Sequence, residues 1–486
     1  MKTKFTKQEK TVKSTKKTQD DDKPEVTVGL NEEPNSTPEL KTPKKPLSIQ
    51  LRTLYNDFDL SDFTQEKLDF EKQLYKEEKI KYTGKGKSFL KTLPKEHPLI
   101  QIIKEKQDKL YNQWITKGIP VGGVRRNDKQ IISDFKQLEL KDLSDVIWTS
   151  DEGESCLCDF TNLDCGLNLY FPEMMSVPTI NGSVIDCLTD FDRFLTGYEN
   201  KILNHPTKIV TEKNIYCIFK QMCRLSTGTT PVGNFPTKIG MFIILESFYD
   251  TLLRYKCIPG DNFVICDPCT GWGGRLLSTL CMFHRLKDEY LKRVGRQLHV
   301  TYISTDPNTE VHDRFKNIIS DWFETIKPED DSEYFHFEKE IVGCETPEFL
   351  NFCKTVLSSI GLTGVNVSFT SPPYFDREKY STDTSQSYLM YPEYPEWKIK
   401  FLKGMIDNVN ELLIPGGKFY LNISNTYEKN GTVNPMEKDS VTFLQESGMK
   451  SVNNYKMLLS GSSNSVNCVE MGNVPHKFEP VFVFEK

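Results

Sequence analysis

From about residue 226 onward, short apolar runs alternate with longer stretches whose apolar positions recur every three or four residues. The runs at 262–266, 299–305, 340–343, 365–369 and 418–423 read as strands. Ile239, Phe242, Ile243, Leu245, Phe248 and Leu252 make one helical stripe, opened by Pro236. Further helices are expected from near Arg275, over 311–326 and over 347–360. Another runs through Phe401, Met405, Val409, Leu412 and Leu413 and breaks at Pro415-Gly416-Gly417. A last helix at 440–447 leads to two strands, 452–459 and 478–484, with no helix between them. Strand and helix in alternation predict an α/β fold with a doubly wound parallel sheet. The missing final helix predicts an antiparallel last strand.

Residues 48–225 lack this regularity. Leu68, Leu74, Ile80, Leu90, Leu93, Ile102, Ile103, Leu110, Trp114 and Ile115 lie among helix formers, so an N-terminal, mainly helical domain is expected. Within it Lys81, Lys85, Lys87 and Lys91 interleave with Tyr82, Phe89, Gly84 and Gly86, and Arg125 and Arg126 follow a Gly-Gly turn. Such a mixture can follow a phosphate backbone, or simply form a solvated face diluted by Glu77, Glu78 and Glu96. Residues 1–47 hold almost no large apolar residue, and Met1 to Lys17 carries seven lysines against one acid. That composition predicts a disordered, lysine-rich tail, because it cannot offset chain entropy by burial.

The whole chain, 486 residues with a net charge of −6, is not basic enough to announce a nucleic-acid binder, so any such contact must come from a local patch. No apolar run approaches the ~20 residues of a membrane span. Thirteen cysteines without a secretory leader read as reduced thiols of an intracellular protein, cytoplasmic or nuclear. Cys156, Cys158 and Cys165 have no fourth ligand at a zinc interval, so no metal is expected.

Two turns carry the chemistry. The first strand of the sheet runs into Asp267-Pro268-Cys269-Thr270-Gly271-Trp272-Gly273-Gly274. This is neither the G-x-G-x-x-G of dinucleotide folds, since Leu276 stands at the third glycine position, nor a phosphate-binding P-loop. The fourth strand runs into Thr370-Ser371-Pro372-Pro373-Tyr374, which offers rigid carbonyls, a hydroxyl and an aromatic face at one point.

Together these turns resemble those of the S-adenosyl-L-methionine-dependent amino-methyltransferases that act on DNA bases. The resemblance covers the C-terminal half, 226–486, and implies a Rossmann-like methyltransferase sheet. It implies that Asp267, Cys269, Gly271 and Gly273 cradle the cofactor, with Asn234 and Phe235 packed on its amino-acid end. Asp306, thirty-nine residues beyond Asp267, would take the ribose hydroxyls, and Glu345 the adenine amino group. Ser371, Pro372, Pro373 and Tyr374 would be catalytic: two acceptors bind the hydrogens of an exocyclic amine while the tyrosine stacks on an extruded base. The segment after Tyr374, with Arg377, Lys379 and Tyr380, and the ending Phe478-Glu479-Pro480-Val481 are similar to those of phage and large-virus DNA methylases, which implies nucleic-acid contact and a viral origin.

A cytosine-C5 enzyme would need a cysteine at the end of the fourth strand, where Ser371 stands. Ser371 leans toward cytosine N4 over adenine N6. An RNA-base methyltransferase and an inactive nucleic-acid-binding subunit stay open as alternatives.

Overall fold

The computed structural model describes residues 59–81, 88–117, 128–139, 141–159, 183–205, 233–326, 331–377, 379–380, 383–427, 431–461, 468–471 and 474–486, together with Phe171, Met174, Val177, Ile218, Gln221 and Met222. The lysine-rich tail, Cys165, Lys85, Lys87, Arg125 and Arg126 lie outside them.

The described strands, in chain order, are β1 (Ile147–Thr149), β2 (Ser155–Leu157), β3 (Asn262–Asp267), β4 (His299–Thr305), β5 (Phe335–Glu340), β6 (Val365–Thr370), β7 (Leu413–Asn422), β8 (Thr426–Tyr427), β9 (Val433–Asn434), β10 (Lys450–Gly461), β11 (Cys468–Met471) and β12 (Val474–Glu485). The main sheet has the spatial order β1-β2-β10-β12-β7-β6-β3-β4-β5. β5, β4, β3, β6 and β7 run parallel, and β12 enters antiparallel beside β7. Every residue of β3 and β6 is buried; β3 is accordingly a continuous apolar run over 263–266, whereas β6 alternates Val365, Val367 and Phe369 with the buried polar residues Asn366, Ser368 and Thr370.

Helices cover both faces. Thr237–Tyr255, Gly274–Val294 and Thr309–Ile326 pack on one side through Phe248, Leu280 and Phe315. Pro347–Ser359, Gly404–Leu412 and Met436–Glu446 pack on the other through Phe349, Val409 and Leu444. The fold is therefore a doubly wound, Rossmann-like α/β sheet with an antiparallel last strand. No helix among the described residues is long and apolar enough to cross a membrane.

The third parallel strand differs from the expected 340–343. It spans Phe335–Glu340, and 341–346 form the loop that follows it. As an edge strand it is only half-covered, so Phe-His-Phe-Glu-Lys-Glu alternates and lacks the apolar signature that Ile341-Val342 carries.

Upstream, helices Gln65–Ile80, Pro98–Lys117 and Phe191–Tyr198 surround a buried ionic knot. Lys106 meets Glu71 at 2.5 Å, and the Tyr198 hydroxyl donates to the same carboxylate at 2.7 Å. The short β1–β2 hairpin joins the main sheet, β2 pairing parallel with β10, and Phe135 packs on Trp322 at 4.9 Å. Cys156 and Cys158 are buried against Leu458 and Val469.

Candidate functional site at the switch point

The chain leaves β3 toward β4 and β5 on one side, then returns to β6 and β7 on the other. The C-terminal ends of β3 and β6 therefore flank the point where strand order reverses, the place where such sheets hold ligands. Asp267 ends β3 and Thr370 ends β6, and the Thr370 hydroxyl donates to Asp267 Oδ1 at 3.0 Å. Two turns about a hundred residues apart in sequence are thus joined by one hydrogen bond.

Asp267 is fully buried. Its Oδ2 accepts from Arg275 Nε at 2.8 Å and from the Tyr302 hydroxyl at 2.7 Å. Arg275 also donates to the Cys269 carbonyl, and its guanidinium lies 5.9 Å and 5.8 Å from the rings of Phe235 and Phe369. The carboxylate is occupied from within the protein, so its direct work is to hold the turn. Arg275, Tyr302 and Thr370 were not singled out from sequence. An arginine opening an apolar helix directly after a glycine turn was the signal available for the first of them.

The turn itself is pinned at residue 270. The Thr270 amide donates to the Thr305 carbonyl at 3.1 Å, its hydroxyl lies 2.7 Å from Ser304 Oγ, and the Gly271 amide donates to Asp306 Oδ2 at 3.0 Å. Gly271 and Gly273 both have positive φ, 57° and 76°. They differ in what a side chain would meet. A Cβ on Gly273 would lie 3.2 Å from the Phe315 ring, whereas one on Gly271 would come no nearer than 4.0 Å to another atom, the Cys269 carbonyl oxygen. Gly273 serves helix packing, and Gly271 leaves room beside the turn.

Around this turn sit the other expected residues. Asp306 also accepts from the Asn308 amide at 2.9 Å, yet burial pushes its carboxyl up to about 6. Glu345 lies in the loop after β5. Burial raises its pKa, and the Tyr391 hydroxyl reaches its Oε1 at 3.4 Å. Its Oε2, the Asn234 Oδ1 and the Trp272 Nε1 are buried without a hydrogen-bond partner among the described residues. Buried polar atoms are usually paired in a finished fold; these three are among eleven such atoms in the described residues, and a ligand seated beside the turn would satisfy them.

At the end of β6, Ser371 is half-buried, and its hydroxyl has no partner among the described residues. Pro372 is buried. Phe375 takes a left-handed φ of 52° and donates its amide to the Pro373 carbonyl at 3.0 Å, a strained turn for a bulky residue. The Tyr374 ring is 9% exposed. Its hydroxyl is shared between Asn422 Oδ1 at 3.3 Å and Glu479 Oε2 at 3.2 Å, and burial raises the Glu479 carboxyl. In this conformation the tyrosine anchors the turn to β7 and β12 and does not present a free stacking face. Glu479 stood in sequence only as part of the chain's ending.

Beyond the tetrapeptide, Arg377 and Lys379 are exposed, and Lys379 Nζ lies 5.9 Å from the Tyr388 ring centre. Tyr380 packs edge-on to Trp272 of the glycine turn at 6.0 Å. Lys81 and Lys91 belong to the N-terminal helical segment, where both are exposed and Lys81 pairs with Glu78 at 2.9 Å.

No protein-family model matches the sequence, and no curated protein matches it. Among solved structures, the chain is similar to TrmN from Thermus thermophilus, 14% identical with a TM-score of 0.26 over 52% of this chain and 50% of that one. It is similar to an rRNA methylase from Streptococcus thermophilus, 15% identical with a TM-score of 0.26 over 52% of this chain and 98% of that one. A second Thermus thermophilus protein, described as a DNA modification methylase and solved in complex with S-adenosyl-L-methionine, matches 28% of this chain and 52% of its own, 18% identical with a TM-score of 0.20. This chain thus spans about half the length of the first and third of these structures. At such values the chemistry must be read from this chain's own residues.

Proposed function

We propose that this protein is an S-adenosyl-L-methionine-dependent methyltransferase acting on an exocyclic amino group of a DNA base, with cytosine N4 favoured over adenine N6. One observation carries the reading. The glycine turn and the Ser-Pro-Pro-Tyr turn are held together at the switch point by the Thr370–Asp267 bond, with the Ser371 hydroxyl beside them unpartnered among the described residues.

When bound, S-adenosyl-L-methionine supplies an electrophilic methyl group. Asn234 Oδ1 would accept from its amino group, Asp306 from its ribose diol and Glu345 from its adenine amine, while Gly271 would leave the backbone approachable. An exocyclic base amine is a poor nucleophile because its lone pair is delocalised into the ring. The Ser371 hydroxyl oxygen and the Pro372 carbonyl can each accept one of its hydrogens, which favours the pyramidal form with the lone pair exposed. The prolines and the Tyr374 anchor keep those acceptors rigid, so positioning supplies the catalysis without a covalent intermediate. Arg377 and Lys379 are exposed cations just past this turn and suit a phosphate backbone, as do Lys81, Lys85, Lys87 and Lys91 farther upstream.

The test is methyl transfer from labelled cofactor to duplex DNA, single-stranded DNA and RNA, with nucleoside mass spectrometry of the products. N4-methylcytosine or N6-methyladenine in DNA is the expected result. Label confined to RNA would move the substrate class, and label in none of them would remove the reading.

Asp306 gives the cofactor site a pH dependence of defined sign. Its carboxyl is held up near 6, and hydroxyls donating to it favour the ionised form, so a bound ligand lowers that value. Affinity is then full above about 6 and is lost as pH falls below it. S-adenosyl-L-homocysteine should bind several-fold more weakly at about pH 5 than at about pH 7.5. Glu345 is also raised by burial, so Asp306→Asn serves as the control: it should bind weakly at both pH values. Equal affinity of the native protein at both would contradict the assignment.

A further inference from the structure

The loop after β3 and the loop after β5 each place a cysteine at the same spot: Cys269 Sγ and Cys344 Sγ lie 3.5 Å apart. β4 runs between the two strands, so these sulfurs meet across the carboxyl end of the sheet, where the ligand crevice lies. Cys269 sits between Asp267 and Gly271 in the turn, and its carbonyl is held by Arg275. Cys344 directly precedes Glu345, and its carbonyl accepts from Asn408 Nδ2 at 2.9 Å. We propose that Cys269 and Cys344 form a reversible disulfide that clamps the two loops of the cofactor crevice together. Its effect on the cofactor rests on the reading above; the bond itself does not.

Geometry favours this pair. A disulfide needs a sulfur separation of about 2.05 Å, so the thiols must close by roughly 1.5 Å, within the reach of two loops. Cys269 is half-buried and reachable by a small oxidant, whereas Cys344 is buried. Cys266 and Cys353 also lie among the buried core residues on this side of the sheet, at 1% and 0% exposure, which shields them from the same oxidant.

With a hydroperoxide as oxidant the step balances. The Cys269 thiolate attacks the O–O bond, sulfur takes one oxygen as a sulfenic acid, and the hydroxide released leaves as water. Cys344 sulfur then attacks Cys269 sulfur; the S–S bond forms, the S–O bond breaks, and the hydroxide takes the Cys344 proton as a second water. Two thiols and hydrogen peroxide give one disulfide and two waters. Closing the sulfurs draws the glycine turn toward Glu345, narrowing the crevice that the adenine end must enter.

The experiment uses the full chain, reduced and then exposed to hydrogen peroxide. Peptide mass spectrometry should find a Cys269–Cys344 link that has lost two hydrogens, and dithiothreitol should reverse it. Cys344→Ser should abolish the link, Cys353→Ser should keep it, and unfolding curves of the reduced variants should show that both are folded. Titration with S-adenosyl-L-homocysteine should give at least roughly tenfold weaker binding to the oxidised form, a factor that dithiothreitol restores. Absence of the link, or oxidation that joins other cysteines instead, overturns the site. A link that leaves affinity unchanged overturns the clamp. A reduced chain that fails to bind S-adenosyl-L-homocysteine counts against the cofactor reading alone, since the linked peptide is detected without any ligand.

Discussion

Replacing Ser371 by alanine is expected to lower methyl transfer by roughly 10²–10³-fold, by analogy with the loss of one transition-state hydrogen-bonding group. Affinity for S-adenosyl-L-homocysteine should stay within about threefold of the native value, because the cofactor contacts proposed above rest on Asn234, Asp306 and Glu345 and not on Ser371. The hydroxyl makes no hydrogen bond among the described residues, so removing it leaves no buried group unpaired and should not destabilise the fold. Single-turnover rates measured beside a binding titration separate the two effects. A Ser371→Ala protein that transfers methyl at the native rate would mean that this hydroxyl takes no part in the reaction.

The second large effect is structural. Asp267 is wholly buried, and Arg275 is the cation that compensates it. Arg275→Ala leaves that carboxylate with only the Tyr302 and Thr370 hydroxyls, and breaking a buried pair in this way costs about 3–5 kcal/mol. Asp267→Asn combined with Arg275→Met removes both charges and should recover much of the loss. Urea unfolding of the three proteins measures this. A loss under about 1 kcal/mol for Arg275→Ala would show the pair to be solvated or replaceable.

The same knot shows what sequence could and could not reveal. β3 was legible as a continuous apolar run and β6 through its β-branched and aromatic Val365, Val367 and Phe369, and each ends in residues that suit a turn. The antiparallel insertion of β12 followed from a missing helix. β5 was misplaced because an edge strand is covered on one face only. The β1–β2 hairpin, three residues a side, carries no periodic signal of its own. Within the site, Gly271 and Ser371 announced themselves through backbone and turn chemistry. Tyr302 and Thr370 did not, since a tyrosine or threonine inside a strand reads as ordinary packing. Only the pairing of β3 with β4 and β6 brings them onto one carboxylate. Gly273 looked equivalent to Gly271 in sequence, and Phe315, more than forty residues on, is what distinguishes them.

The central claim is that the glycine turn and the Ser-Pro-Pro-Tyr turn form one site for methyl transfer. A crystal structure with S-adenosyl-L-homocysteine tests it most directly. The account predicts the ribose on Asp306, the amino-acid end at Asn234, and the sulfur facing the Ser371 hydroxyl and Pro372 carbonyl. Ligand density elsewhere on the protein, or a sulfur turned away from Ser371, would contradict it.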